Sequence, residues 1–143
     1  MEESDSDIFR TSKDRERARD LFEMAKERSD IIIASIPKSV PYKLLEEYYE
    51  ISVQLMTSLM YLEGYKTLSH IALIRFLSKF EFNVKEIEIL DKMRKFRHGT
   101  VYYGRKESGN FYINHQEEIK KTVDKLFSCI KRRLEVKRTN ERG

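Results

Sequence analysis

From Leu44 to Leu62 apolar side chains recur at spacings of three and four: Leu44, Leu45, Tyr48, Ile51, Leu55, Met56, Leu59 and Leu62, with Ser52 in register among them. That period fits an α-helix with one broad buried stripe and does not fit a strand, whose period is two. The ends agree. Ser39 can cap, Pro41 suits a first turn whose amides have no partners, and Gly64 supplies a left-handed stop. So apolar a helix must be enclosed by others, and the rest of the chain supplies them.

Thr11 and Asp14 read as a capping box for a first helix carrying Ala18, Leu21, Phe22, Ala25, Ile32, Ile33 and Ile36, which ends before Pro37. A third helix is expected to begin at Thr67 or Ser69 and to run through His70, Ile71, Leu73, Ile74 and Leu77 to Phe80. Asn83 and Glu86 box a fourth, with Val84, Ile87, Leu90, Met93 and Val101 on it. Gly104 and Gly109 bracket a polar loop, Arg105 to Ser108. Asn114 and Glu117 then open a last helix with Ile119, Val123, Leu126, Phe127, Ile130 and Leu134. Two Pro and five Gly in 143 residues are too few for a turn-rich all-β architecture. The expectation is an all-α, antiparallel up-and-down bundle of about five helices. Residues 1–10 read as a flexible acidic segment, 11–136 as the bundle and 137–143 as a basic tail.

Several function classes are set aside by what the chain lacks. No apolar run approaches the roughly 18 residues of a membrane span. The acidic start Met1-Glu2-Glu3-Ser4-Asp5 has neither the basic nor the apolar region of a signal peptide, so a cytoplasmic protein is expected. Cys129, the single cysteine, reads as a buried thiol. With three His and one Cys, neither a zinc site nor another cofactor is expected. There is no glycine-rich phosphate loop, HExxH pair or nucleophile elbow.

The net charge is only +4, but it is unevenly placed. From Lys92 to Lys106 stand Lys92, Arg94, Lys95, Arg97, Arg105 and Lys106 with no acid between them. Phe96, Tyr102 and Tyr103 are interleaved with them. Phosphate neutralisation combined with base stacking is how single-stranded RNA is held. The same residues also suit a solvated helix face. Continuing the stripe of the fourth helix from Ile87 and Leu90 lands on Arg97, which turns toward the bundle seam, where a guanidinium must be paired or line a cleft.

The stretch Arg97-His98-Gly99-Thr100-Val101-Tyr102 resembles the HEPN domains (higher eukaryote and prokaryote nucleotide-binding), helical bundles marked by an arginine, a polar residue, a short spacer and a histidine near a helix end. Arg97 and His98 match the first two positions, and Tyr102 stands where the family has its histidine. Looser similarity covers residues 13–136, including Leu62 to Tyr65 and His70 to Leu73. The resemblance implies an RNA- or nucleotide-binding homodimer that partners a nucleotidyltransferase in a toxin–antitoxin-like system. Arg94, Lys95, Arg97, His98, Tyr102, Tyr103 and Arg105 would bind, and Tyr102 or Tyr103 could accept a transferred nucleotide. The alternatives are a metal-independent RNase toxin, with Arg97 and His98 catalytic or His115 as a substitute base, and a non-catalytic helical scaffold. Tyr102 bears on the choice, because a phenol with a pKa near 10 is a poor general base at neutral pH.

Overall fold

The computed structural model describes residues 7–98 and 100–142, with side chains over 7–98 and 104–136. Over the described residues the fold is an all-α bundle of five helices with one small two-stranded ribbon. Helix α1 (Arg15–Glu27) continues through a π turn at Arg28–Ile32 and a last turn at Ile33–Ser35. It ends as Ile36 becomes extended ahead of Pro37. Its cap is Asp14, whose carboxylate accepts from the Arg17 amide at 3.0 Å, rather than Thr11. The reason is tertiary: the amides of Thr11 and Asp14 donate to Gly64 and Tyr61 carbonyls, laying residues 11–14 along the end of the next helix.

Helix α2 (Pro41–Glu63) begins at Val40 with Pro41 in its first turn; Ser39 is not the cap. Gly64 ends it in the left-handed region, φ 83° and ψ 39°. Just past its C-terminal end lies a feature the sequence does not show. Strand β1 (Ile8–Arg10) pairs antiparallel with β2 (Tyr65–Thr67), Ile8 opposite Thr67 and Arg10 opposite Tyr65. Three-residue strands are too short for alternation to register, so residues 8–10 belong to the ribbon although they read as part of a flexible lead. Thr67 locks it: its hydroxyl donates to the Asp7 carbonyl at 2.7 Å and accepts from the Ser69 amide at 3.1 Å.

Ser69 caps α3 (His70–Phe76), accepting from the Ala72 amide, and a 3₁₀ turn at Leu77–Lys79 follows before Phe80 becomes extended. Asn83 and Glu86 form the expected reciprocal box at the start of α4 (Val84–His98), both bonds 2.9 Å. Val84 itself is exposed rather than part of the stripe, and Val101 lies outside the residues with described side chains.

The fifth helix departs most from expectation. No loop spans Arg105–Ser108 and no helix starts at Asn114, because α5 (Thr100–Arg142) is helical on both sides of a single kink at Gly104, φ 88° and ψ 168°. The polar-looking stretch is a packing site. Ser108 is buried and donates to the Phe96 carbonyl at 3.2 Å. A Cβ on Gly109 would lie 3.0 Å from Pro41 Cγ, so the small residue lets α5 close on the start of α2.

Helix α1 runs antiparallel to α2, with Ser58 Oγ donating to the Ala18 carbonyl near one end and Arg28 paired to Glu47 toward the other, both at 2.7 Å. Helix α5 folds back along α4: Phe96 stacks on Phe111 at 4.5 Å, and Lys125 meets Glu86 at 2.8 Å. Leu45, Ile51, Leu55, Leu59 and Leu62 of α2 are enclosed with Leu90, Met93, Leu126 and Ile130, which is why the α2 stripe is the broadest in the chain. Cys129 is buried in this core, and burial pushes its thiol up. No described helix is long and apolar enough to cross a membrane.

Candidate functional site

Helix α4 carries basic residues through its last turns, Arg94, Lys95, Arg97 and His98. Ile89, Leu90 and Met93 are buried, and the same face continues one turn on to Arg94 and Arg97. The last helical residue is His98. These side chains arrive beside the middle of α2 and the first residue of α3, so three helices meet there.

Tyr49 is the fixed point of that meeting. It is 1% exposed, and a tyrosine hydroxyl so buried needs a partner. It finds His70, with Oη and Nδ1 2.7 Å apart. The His98 ring approaches both, its centroid 6.1 Å from Tyr49 and 5.7 Å from His70, edge-on to each. His98 is exposed and His70 half-buried, so both imidazoles can be reached from solvent.

The two arginines are held differently. Arg94 Nε donates to Asp91 at 3.0 Å, and Lys95 reaches the other oxygen of the same carboxylate at 3.4 Å. The Nε of Arg97 is buried and has no hydrogen-bond partner among the described residues. A desolvated guanidinium N–H without an acceptor is costly.

The electrostatics follow from burial and from these neighbours. Burial, then the positive field of His98, Arg94 and Arg97, lowers the His70 pKa, with Glu50 opposing. Burial also pushes the Tyr49 phenol up; Glu50 and Asp91 act in the same direction and Arg94 and Arg97 against it. At neutral pH the cluster therefore contains a protonated phenol and an uncharged His70 imidazole next to an arginine donor. Hydrogen-bond donors and cations of this kind suit phosphate oxygens.

Of the residues singled out in the sequence, Arg94, Arg97 and His98 are brought together. Lys95 stands on the outer side, largely exposed and turned to Asp91. Arg105 lies elsewhere, its guanidinium 5.7 Å from the Tyr42 ring centroid at the start of α2. His115 sits on α5 with Glu118 at 3.0 Å and the Phe111 ring as its described partners. The side chains of Tyr102 and Tyr103 lie outside the described residues. Tyr49 is the member that sequence reasoning missed: it is not among the residues of the expected α2 stripe, and nothing near it in sequence points to His70. His70 was visible as a polar residue at a helix start, without a sign that it faces His98. Among the described residues no group of three or more His, Cys, Asp or Glu stands together as a metal site. Comparison with family models, curated proteins and solved structures finds no match for this chain.

Proposed function

We propose that this bundle binds RNA or nucleotide through phosphate, with Arg97, His98 and His70 as the contact groups and Arg94 as a flanking cation. The observation that carries the reading is the Arg97 guanidinium, its buried Nε without an acceptor among the described residues, within electrostatic reach of the His70 imidazole that His98 faces. A homodimer would place two such clusters about a twofold axis and enlarge a short contact surface. The nucleotidyltransferase partner and the toxin–antitoxin-like setting rest on the resemblance of the Arg97-His98 stretch to HEPN domains.

Fluorescence anisotropy with a short single-stranded RNA, over a series of salt concentrations, tests the binding. Affinity should fall steeply as salt rises, and Arg97→Ala should reduce the slope of log K against log salt by about 0.7, the loss of one phosphate contact. Failure to bind any RNA or nucleotide at low salt would leave a non-catalytic scaffold as the better reading.

The facing His70 and His98 rings favour a second reading, metal-independent RNA cleavage in which His98 works beside Arg97. Cleavage that persists in EDTA and disappears in Arg97→Ala is its signature; wild-type protein that cleaves RNA neither with nor without EDTA removes it.

A further inference from the structure

We propose that the cluster at the end of α4 takes a terminal phosphate monoester, as on a mononucleotide or a phosphorylated RNA end, and that His70 gains a proton from solvent as the phosphate binds. This rests on the reading of the cluster as a phosphate site, and it names the kind of phosphate.

The argument begins with charge. Asp91 already balances Arg94 and is shared with Lys95. Arg97 is left as the cation whose Nε, buried, has no acceptor among the described residues. An internal phosphodiester carries one negative charge, which one guanidinium can match. A monoester carries close to two at pH 7, because its second pKa is about 6. The second charge needs a second cation, and the groups able to become one are the imidazoles.

His70 is built for that change. Tyr49 and Glu50 face it from α2, and Arg94, Arg97 and His98 face it from α4. Without an anion, burial and the three α4 groups keep the ring uncharged. A dianion next to Arg97 reverses the sign of that local field and favours the imidazolium. The charged ring has two N–H groups to satisfy. Tyr49 Oη, 2.7 Å from Nδ1, can accept the first, leaving Nε2–H to donate to a phosphate oxygen. The balance is one proton taken from solvent onto His70 for each phosphate bound, with no covalent bond made or broken.

Calorimetric titration in two buffers of different ionisation enthalpy measures proton uptake directly. Adenosine 5′-monophosphate is the first probe. Inorganic sulfate, a dianion that does not titrate near neutrality, is the second, so uptake with sulfate must come from the protein. Both should bind with proton uptake, and sulfate affinity should fall as pH rises, by up to about tenfold per pH unit, the limit for one linked proton. His70→Asn should abolish the uptake and flatten the pH dependence, while His115→Asn, a histidine on α5 that is not part of the cluster, retains both. Tyr49→Phe, which leaves the imidazole in place, should move the pH dependence to lower pH. A 5′-phosphorylated oligonucleotide should bind more tightly than its unphosphorylated counterpart.

Uptake that survives in His70→Asn, or equal affinity for the two oligonucleotides, overturns the proposal. RNA that binds through Arg97 with neither proton uptake nor end preference would overturn this inference alone. Failure of RNA, nucleotide and sulfate all to bind would remove the phosphate site itself.

Discussion

Tyr49 Oη and His70 Nδ1 lie 2.7 Å apart, and this bond ties the middle of the central helix to the first residue of α3. Tyr49→Phe keeps the ring and its packing while removing the bond. A net loss of about 1 kcal/mol is expected in urea unfolding, typical for a single intramolecular hydrogen bond. An unchanged midpoint would mean that water replaces the hydroxyl at no cost.

The depressed pKa of His70 has a consequence for stability as well as for binding. The unfolded chain, with an ordinary histidine near 6.5, binds more protons than the folded one as pH falls below that value. The stabilising contribution of the neutral ring is present above pH 6.5 and is lost as pH falls through the lower folded value. Chemical denaturation across this range should show a decline in the wild type that is smaller in His70→Asn; identical profiles would contradict it.

Asp91 competes with any phosphate for Arg94 and Lys95. Asp91→Asn should therefore strengthen RNA binding at low salt by about two- to fivefold, the equivalent of roughly 0.5–1 kcal/mol for a partly exposed ion pair. Lys95→Ala should matter little by comparison, its side chain being largely exposed and directed to Asp91. Anisotropy titrations of the two variants beside wild type decide it, and weaker binding by Asp91→Asn would show that Asp91 serves to position Arg94 for the ligand.

Gly64 has φ 83°, and a Cβ there would stand 3.1 Å from the Thr11 carbonyl oxygen. Gly64→Ala combines left-handed strain with that close contact, so a loss of about 1–2 kcal/mol is expected. A thermal melt measures it. Because Thr11 donates to the Gly64 carbonyl, the variant should also increase amide exchange at Thr11.

The helices were legible because their signals are local. The α2 stripe, the Gly64 stop, the Ser69 cap and the Asn83–Glu86 box each fall within a few residues, and each stands in the structure. The misreadings have one cause, a residue whose conformation is decided by something distant. Ser108 and Gly109 read as loop because nothing nearby in sequence shows Phe96 or Pro41 against them. Thr11 reads as a cap because its bond to Gly64 is non-local. The candidate site divides in the same way. Arg94, Arg97 and His98 share one helix end and are visible together, whereas Tyr49 and His70 join them only through the packing of α2 and α3.

The Thr67 hydroxyl lies between the Asp7 carbonyl and the Ser69 amide, and Ser69 in turn caps the helix that His70 begins. The start of the helix that carries the His70 imidazole is thus tied to the ribbon, and the first strand acts as a clasp on residues sixty positions away. A tag or truncation at that end acts on the clasp that holds the start of α3, so binding measurements should be compared between proteins tagged at opposite ends.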